Sequence, residues 1–460
     1  MKFKEKKRSS GGIVALLVLS VVLGAIGYVY FSPQFEQMKP SATLYSKEYW
    51  NLQSKLKITL EDNVGIKYYK ITFKDADKET ELASEVLANP VSKVTLELDP
   101  PKLDMFYKQT DVKIVVEVID NSKWNYLEGN KFYQEFPMKI DTKKPTANVI
   151  GNSRYIQRGG SAVVVTKVFD ENIKDAYISF NDEKNFKLQP YLKDGYFVSL
   201  IAWPMDIDEF KRVNLVVIDK ADNITITKVP LYIQEKTVKP DRITLTDDFI
   251  KNVSANVIEQ SYEKVPTDLK DIFVYSNKDI RMKNLQTIET TALKALEGKT
   301  IESFDIEAFK RLRGSKTISN YGELRQYYLN NEMINEAWHL GIDWASVKKA
   351  PIRVSNNGEV IFKDYLGLYG NTIIIDHGMG LCSLYGHTST QNVNVGDRVT
   401  KDQMIAHTGA TGAVFGDHLH FGIVVQGVEV NPIEWMDKNW IKTRITDILE
   451  SSKKYIESTK

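Results

Sequence analysis

The chain has 460 residues, which points to several domains rather than one large core. Lys and Arg number 61 against 60 Asp and Glu, a net charge of +1, so no overall field is available to hold a polyanion and a dedicated nucleic-acid binder is excluded. A single cysteine, Cys382, rules out an internal disulfide and a Cys-rich metal site, leaving His and carboxylate as the only metal donors.

Residues 1–11 carry Lys2, Lys4, Lys6, Lys7 and Arg8 against one acid, Glu5. Gly12 to Phe31 follow without a charged residue, and at about 1.5 Å rise per residue they match a hydrocarbon core of roughly 30 Å. The pattern predicts a cytoplasmic basic tail (1–11) and a transmembrane helix (12–31) in the inner, cytoplasmic membrane, with the rest of the chain on the periplasmic or external side. A cleavable signal peptide is the competing reading. The run is longer than a usual h-region, however, and ends in Tyr28-Val29-Tyr30-Phe31, which suits an interfacial aromatic belt better than a small-x-small cleavage site.

Two stretches beyond the span repeat each other. Lys57 to Lys67 leads into Tyr69 to Phe73, and Val163 to Lys174, with Asp170 in the place of Asp62, leads into Ala176 to Phe180. Val115 to Asp120 is echoed by Leu215 to Asp219. Short β-branched runs between Asp, Asn and Gly turns predict two immunoglobulin-like β-sandwich modules, 42–142 and 145–235, joined at Asp141 to Pro145. They are candidate docking modules for other envelope proteins. Acids at the strand ends hint at calcium, but turn formation is the commoner use of Asp.

From 240 to 320 the texture is mixed and partly helical, with a helix start at Thr246-Asp247-Asp248 and apolar residues at helical spacing through Ile258. The tail at 436–460, with Trp440, Ile441, Ile445, Ile448 and Leu449 among Lys and Glu, predicts an amphipathic helix docked by its apolar face.

The chemistry is confined to about eighty residues, because all 6 histidines fall between His339 and His420. His339 and Asp343 stand four residues apart, close enough to reach one ion. In His418 to Val425, Leu419, Phe421, Ile423 and Val425 alternate with His418, His420 and Gly422, so on a strand both imidazoles leave one face, as two ligands or two bases. His387 ends a β-rich run from Thr372. Imidazoles and one carboxylate converging on a sheet face meet the needs of a catalytic zinc with one position open to water. No Glu accompanies the ligands, so a general base would be His. His377 and His407 read as structural, with a minor second role for His377, and Cys382 as an inert core thiol.

Five ordered motifs, His339 to Asp343, Gly370 to His387, Gly396 to Val399, Gly409 to Gly412 and His418 to Phe421, resemble the lysostaphin or LytM type of zinc metallopeptidase over roughly 320–435. The resemblance implies one Zn²⁺ held by His339, Asp343 and His420, with His387 and His418 as catalytic imidazoles outside the metal shell. It implies hydrolysis of stem-peptide cross-links in cell-wall peptidoglycan, during wall remodelling, shaping or division. Tyr369, Asn371 and Tyr385 are candidate groove walls. Asp417 stands where Pro often precedes H-x-H, and Val354 to Gly358 replaces the usual small-residue turn. The rival is a non-catalytic regulator or scaffold that activates other wall hydrolases, as do relatives lacking zinc ligands. The expected fold is mainly β: a transmembrane helix, two sandwich modules, a mixed α/β connector (240–320), an antiparallel β-sheet metallopeptidase domain (321–435) and a C-terminal helix (436–460).

Overall fold

The charge-free run near the N-terminus is one continuous helix, Gly11–Phe31, with no buried side chain. The computed structural model describes residues 11–45, 48–76, 78–104, 107–234 and 240–459, so the basic tail expected at 1–11 lies, except for Gly11, outside the described residues. The chain divides into two compact units, Met1–Lys144 with Asp219–Asn223, and Pro145–Ile218 with Ile224–Lys460.

The first unit is organised by one long strand, Leu56–Lys74. Its first half pairs with Ser41–Leu44, its second half with Asp111–Asp120, and Glu79–Leu98 runs along both. The change of partner falls at Asp62 to Gly65, where Asp62 Oδ1 accepts the amides of Val64 (2.9 Å) and Gly65 (2.8 Å). Gly65 takes φ +101°, a backbone state that a β-carbon would strain. Alternate residues turn inward on each strand, and Ile58, Leu60, Ile71, Phe73, Ile114 and Val116 pack with Trp50. Six strands thus form a single hydrogen-bonded sheet, because the long strand runs on through the change of partner at Asp62 to Gly65.

In the second unit, Thr146–Asn152, Ser161–Phe169, Tyr196–Ala202 and Gln189–Pro190 make one four-stranded sheet, and Lys184–Lys187, Ile173–Phe180, Val213–Asp219 and Ile224–Lys228 another. Val163, Val165, Leu200, Phe180 and Leu215 fill the core with Ile342, Trp344, Phe421 and Trp435 of the C-terminal region, so one core serves both. The last segment supplies part of it. Short helices and the helix Asp447–Ser458 bury Ile441, Ile445, Leu449 and Ile456 there.

The C-terminal sheet has eight strands, with the antiparallel order Lys316–Ser319, Ile342–Ala345, Leu419–Val425, Leu381–Gly386, Asn371–Asp376, Gly358–Tyr365 and Arg398–Val399, and Val428–Val430 added to Leu419–Val425. One face carries Phe421, Ile423, Ile373 and Leu381 into the shared core. The other carries Ile374, Cys382, Leu384 and Val424 against helices between Asp247 and Ala295. The first of these starts where the acids predicted it, with Thr246 Oγ1 accepting the Phe249 amide at 3.2 Å. The histidine face of the sheet is thus the face these helices cover.

Candidate metal centre

Asp343 and His420 are direct partners across two antiparallel strands, so their side chains rise together from one face. The alternation read from the sequence holds: His420 leaves that face, while Leu419 and Phe421 enter the core behind it. His339 lies between Glu332–Trp338 and Ile342–Ala345 and is fixed by its own backbone, which donates to Glu323 O (2.9 Å) and accepts from Gly322 N (2.8 Å). Both imidazoles then meet the carboxylate. His420 Nδ1 is 2.8 Å from Asp343 Oδ1, His339 Nε2 is 3.1 Å from Asp343 Oδ2, and the two nitrogens are 3.3 Å apart.

A carbonyl oxygen only accepts, so each contact of Nδ1 with one fixes the tautomer. His339 donates Nδ1–H to Asn320 O (2.8 Å), His387 to Thr411 O (2.8 Å) and His418 to Gly416 O (2.8 Å). In each ring Nε2 is then the nitrogen turned to the site. That of His339 faces a carboxylate oxygen and a second imidazole nitrogen, three donor atoms that one positive charge among them, a proton or a metal ion, holds together. One donor atom from each of His339, Asp343 and His420 lies within 4.8 Å of the other two. An N,N,O set at the head of a cleft fits a zinc-like ion with one position open. Gly341 makes room for the His420 ring: a β-carbon there would stand 2.4 Å from His420 Nε2.

Electrostatics agree. Burial alone would raise the Asp343 carboxyl, but the charge of His339 and hydrogen bonds from both histidines outweigh it and hold the group well below its usual range. Burial pushes His420 down to about 4 against the pull of Asp343. His387 is also pushed well down, first by burial and then by His418 and His420, and is neutral at pH 7.

The other two sequence-derived residues flank the set. The His387 ring lies 4.8 Å from that of His418 and 5.8 Å from that of His420, and His418 Nε2 is 3.8 Å from Asp343 Oδ1. His387 has φ +59°, a state that costs a non-glycine residue about 1–2 kcal/mol and that here turns the ring toward its partners. Asp417, the departure before His418, pins its loop: Oδ1 accepts from Thr408 Oγ1 (2.5 Å) and Oδ2 from Lys349 N (3.0 Å).

Of the expected groove walls, Tyr369 lines the cleft, but its hydroxyl turns to Glu429 Oε2 (2.7 Å). Tyr385 is on the opposite face, packed 5.5 Å from Phe421 with its hydroxyl bonded to Ser383, and does not line this cleft. Asn371 is engaged through its backbone by Thr388 and Thr411. Two other expectations hold. His377 is fixed between Asn357 O and Ser383 Oγ, both at 2.7 Å, and Cys382 is buried, its thiol pushed up by burial. The sequence reading missed Arg325, whose Nη2 stands 3.4 Å from Asp343 Oδ2, and Phe249, which stacks 4.3 Å from Phe415 across the cleft. A lone Arg on a strand otherwise reads as a solvated face, and Phe249 reads as helix core, so neither carried a signal.

Residues 337–432 match the family model described as Peptidase family M23. The C-terminal domain is an M23 peptidase domain. It is 38% identical over 95 residues to a DD-carboxypeptidase/endopeptidase Mpg of Neisseria meningitidis serogroup B, covering 21% of this chain and 22% of that one. It is 33% identical over 132 residues to the murein hydrolase activator EnvC of Escherichia coli, covering 29% of each. Among solved structures, the catalytic domain of the antimicrobial peptidase lysostaphin from Staphylococcus simulans is 28% identical, with a TM-score of 0.23, 27% of this chain and 94% of that one being covered. The chain thus spans less than a third of the length of these two curated relatives, and the M23 domain carries the likeness.

Proposed function

We propose that this chain is a zinc-dependent peptidoglycan endopeptidase. The observation that carries the reading is the pair of imidazoles, His387 and His418, each held through Nδ1 by a carbonyl and set beside an N,N,O metal cluster at one cleft. His339, Asp343 and His420 would hold the zinc, which when bound supplies Lewis acidity to the scissile carbonyl and to water. His387, kept neutral and aimed through Nε2, takes the proton of the attacking water and returns it to the leaving amine. His418, held through Nδ1 by Gly416 O, turns Nε2 to the oxygen that gains charge and, carrying a proton there, donates to it. The hydrogen bonds to Thr411 O and Gly416 O keep both rings oriented as that proton moves.

The Gly11–Phe31 helix supports a single-span anchor in the inner membrane with the peptidase on the periplasmic side, near the wall polymer. The relatives' printed names, a DD-carboxypeptidase/endopeptidase and a murein hydrolase activator, favour cross-linked wall peptide as the target, and the strand-rich region before residue 235 serves as spacer and docking surface. The second reading, an activator of other wall hydrolases, has the EnvC likeness in its favour and the complete set of five site residues against it. Mass spectrometry of muropeptides separates the two. Incubating isolated wall material with the purified chain is expected to convert cross-linked dimers to monomers. Unchanged dimers with zinc-loaded protein would refute catalysis and leave the activator.

A further inference from the structure

The repeated acids at strand ends, which turn formation alone would explain, do more in the first unit. Asp62, Asp120 and Glu36 come from three segments, and one oxygen of each lies within 4.8 Å of the other two. Part of this is structural. Asp120 Oδ1 accepts the amides of Ser122 (2.9 Å) and Asn130 (2.8 Å), and its Oδ2 accepts Asn130 Nδ2 (2.7 Å), a lock that ties two strand ends together. Asn130 Nδ2 and Ser122 Oγ also donate to Glu36 O, at 2.8 and 2.6 Å, which seats the Glu36 segment on the lock.

The lock leaves two oxygens without a purpose. Asp62 is 9% exposed; its Oδ1 is taken by the Val64 and Gly65 amides, and its Oδ2 is buried without a partner. Glu36 Oε1 accepts the Met38 amide, and its Oε2 is likewise buried and unpartnered. Burial, opposed by those amides and reinforced by repulsion from Asp120, raises both carboxyls, with Asp62 adding to the repulsion on Glu36. Among the described residues, no basic side chain acts on either. A stranded buried carboxylate costs several kcal/mol unless something positive reaches it.

We propose that Glu36, Asp62 and Asp120 form a calcium site in the first unit. All the donors are oxygens, which selects a hard cation; one oxygen of each acid lies within 4.8 Å of the other two, close enough to share one ion, and calcium accepts an irregular oxygen set where magnesium demands near-ideal octahedral geometry. Backbone amides already fix one oxygen of each acid, so the ligands are positioned before the ion arrives. The chain carries the pattern twice: Asp219 accepts Asn223 N on Oδ1 and Asn223 Nδ2 on Oδ2, both at 2.8 Å, as Asp120 does with Asn130, and Asp170 accepts the Asn172 amide (2.9 Å) as Asp62 accepts that of Val64.

Calcium titration of the full-length chain in detergent, followed by calorimetry and by melting, tests this. Calcium is expected to bind saturably and raise the melting midpoint, with magnesium at the same concentration producing less than half the rise. Asp62→Asn and Glu36→Gln should each remove one equivalent of bound calcium or weaken it tenfold or more, with zinc content unchanged. In calcium-free buffer Asp62→Asn should melt no lower than the parent chain, because an unpaired buried charge has gone, which separates lost binding from lost fold. No saturable binding up to about 10 mM calcium, ten times the weakest extracellular range, would overturn the site. Unchanged stoichiometry and affinity in both variants would do the same.

Discussion

Replacing Glu429 by Gln probes the floor beneath the metal centre. Glu429 lies on Val428–Val430, is 4% exposed, accepts the Tyr369 hydroxyl on Oε2 (2.7 Å) and has no partner on Oε1, while the Tyr369 ring meets that of His420 edge-on at 5.3 Å. Burial, against the Tyr369 hydrogen bond and the charge of Arg281, raises the carboxyl from 4.5 to about 7. The folded chain therefore binds this proton more tightly than the unfolded chain. The stabilisation is complete below about pH 4.5, drains away as pH rises toward 7, and is gone above it. At about 1.4 kcal/mol per tenfold, the gap amounts to roughly 3 kcal/mol. Gln keeps an acceptor for Tyr369 and cannot ionise. Denaturant unfolding of the second unit, measured from pH 4.5 to 8, should show the parent chain losing about 3 kcal/mol relative to Glu429→Gln. Parallel pH profiles for the two proteins would refute the buried, proton-holding carboxyl.

His420→Ala should lose zinc by elemental analysis, since it removes one of three donors to a site no other cluster of described histidines duplicates. His387→Ala and His418→Ala should retain zinc and lose on the order of 10²-fold or more of turnover on wall material, and near-normal rates in both would overturn the assigned roles. Gly341→Ala should displace the His420 ring and lower metal content, whereas Gly416→Ala, where a β-carbon meets nothing within 4 Å, should leave metal content unchanged. A C-terminal tag should be cleaved by protease once the outer compartment is opened; a tag protected until the inner membrane is lysed would reverse the orientation.

What the sequence determined alone is whatever repeats over a few residues. A charge-free run becomes the Gly11–Phe31 helix because length and polarity are local properties. Period-two alternation puts His420 on one face of its strand and Leu419 and Phe421 on the other, and a helix begins at Thr246 because an acceptor side chain precedes free amides. The confinement of every histidine to one region located the site before any strand was placed.

Only the tertiary structure decided what meets across distance. Asp343 reaches His420 because two strands 77 positions apart in the chain pair in that register, and a shift of one residue would have sent the carboxylate into the core. Tyr385 and Tyr369 look alike in sequence, yet the strand Leu381–Gly386 turns one to Phe421 while the short helical turn Gly367–Tyr369 puts the other at the cleft. Arg325 becomes a neighbour of Asp343 only through the fold. The same is true of Glu36 and Asp62, ordinary turn acids by composition, and of Glu429: their charge becomes costly only when folding removes water from oxygens that no donor replaces, and desolvation is a property of the packed chain rather than of any residue in it.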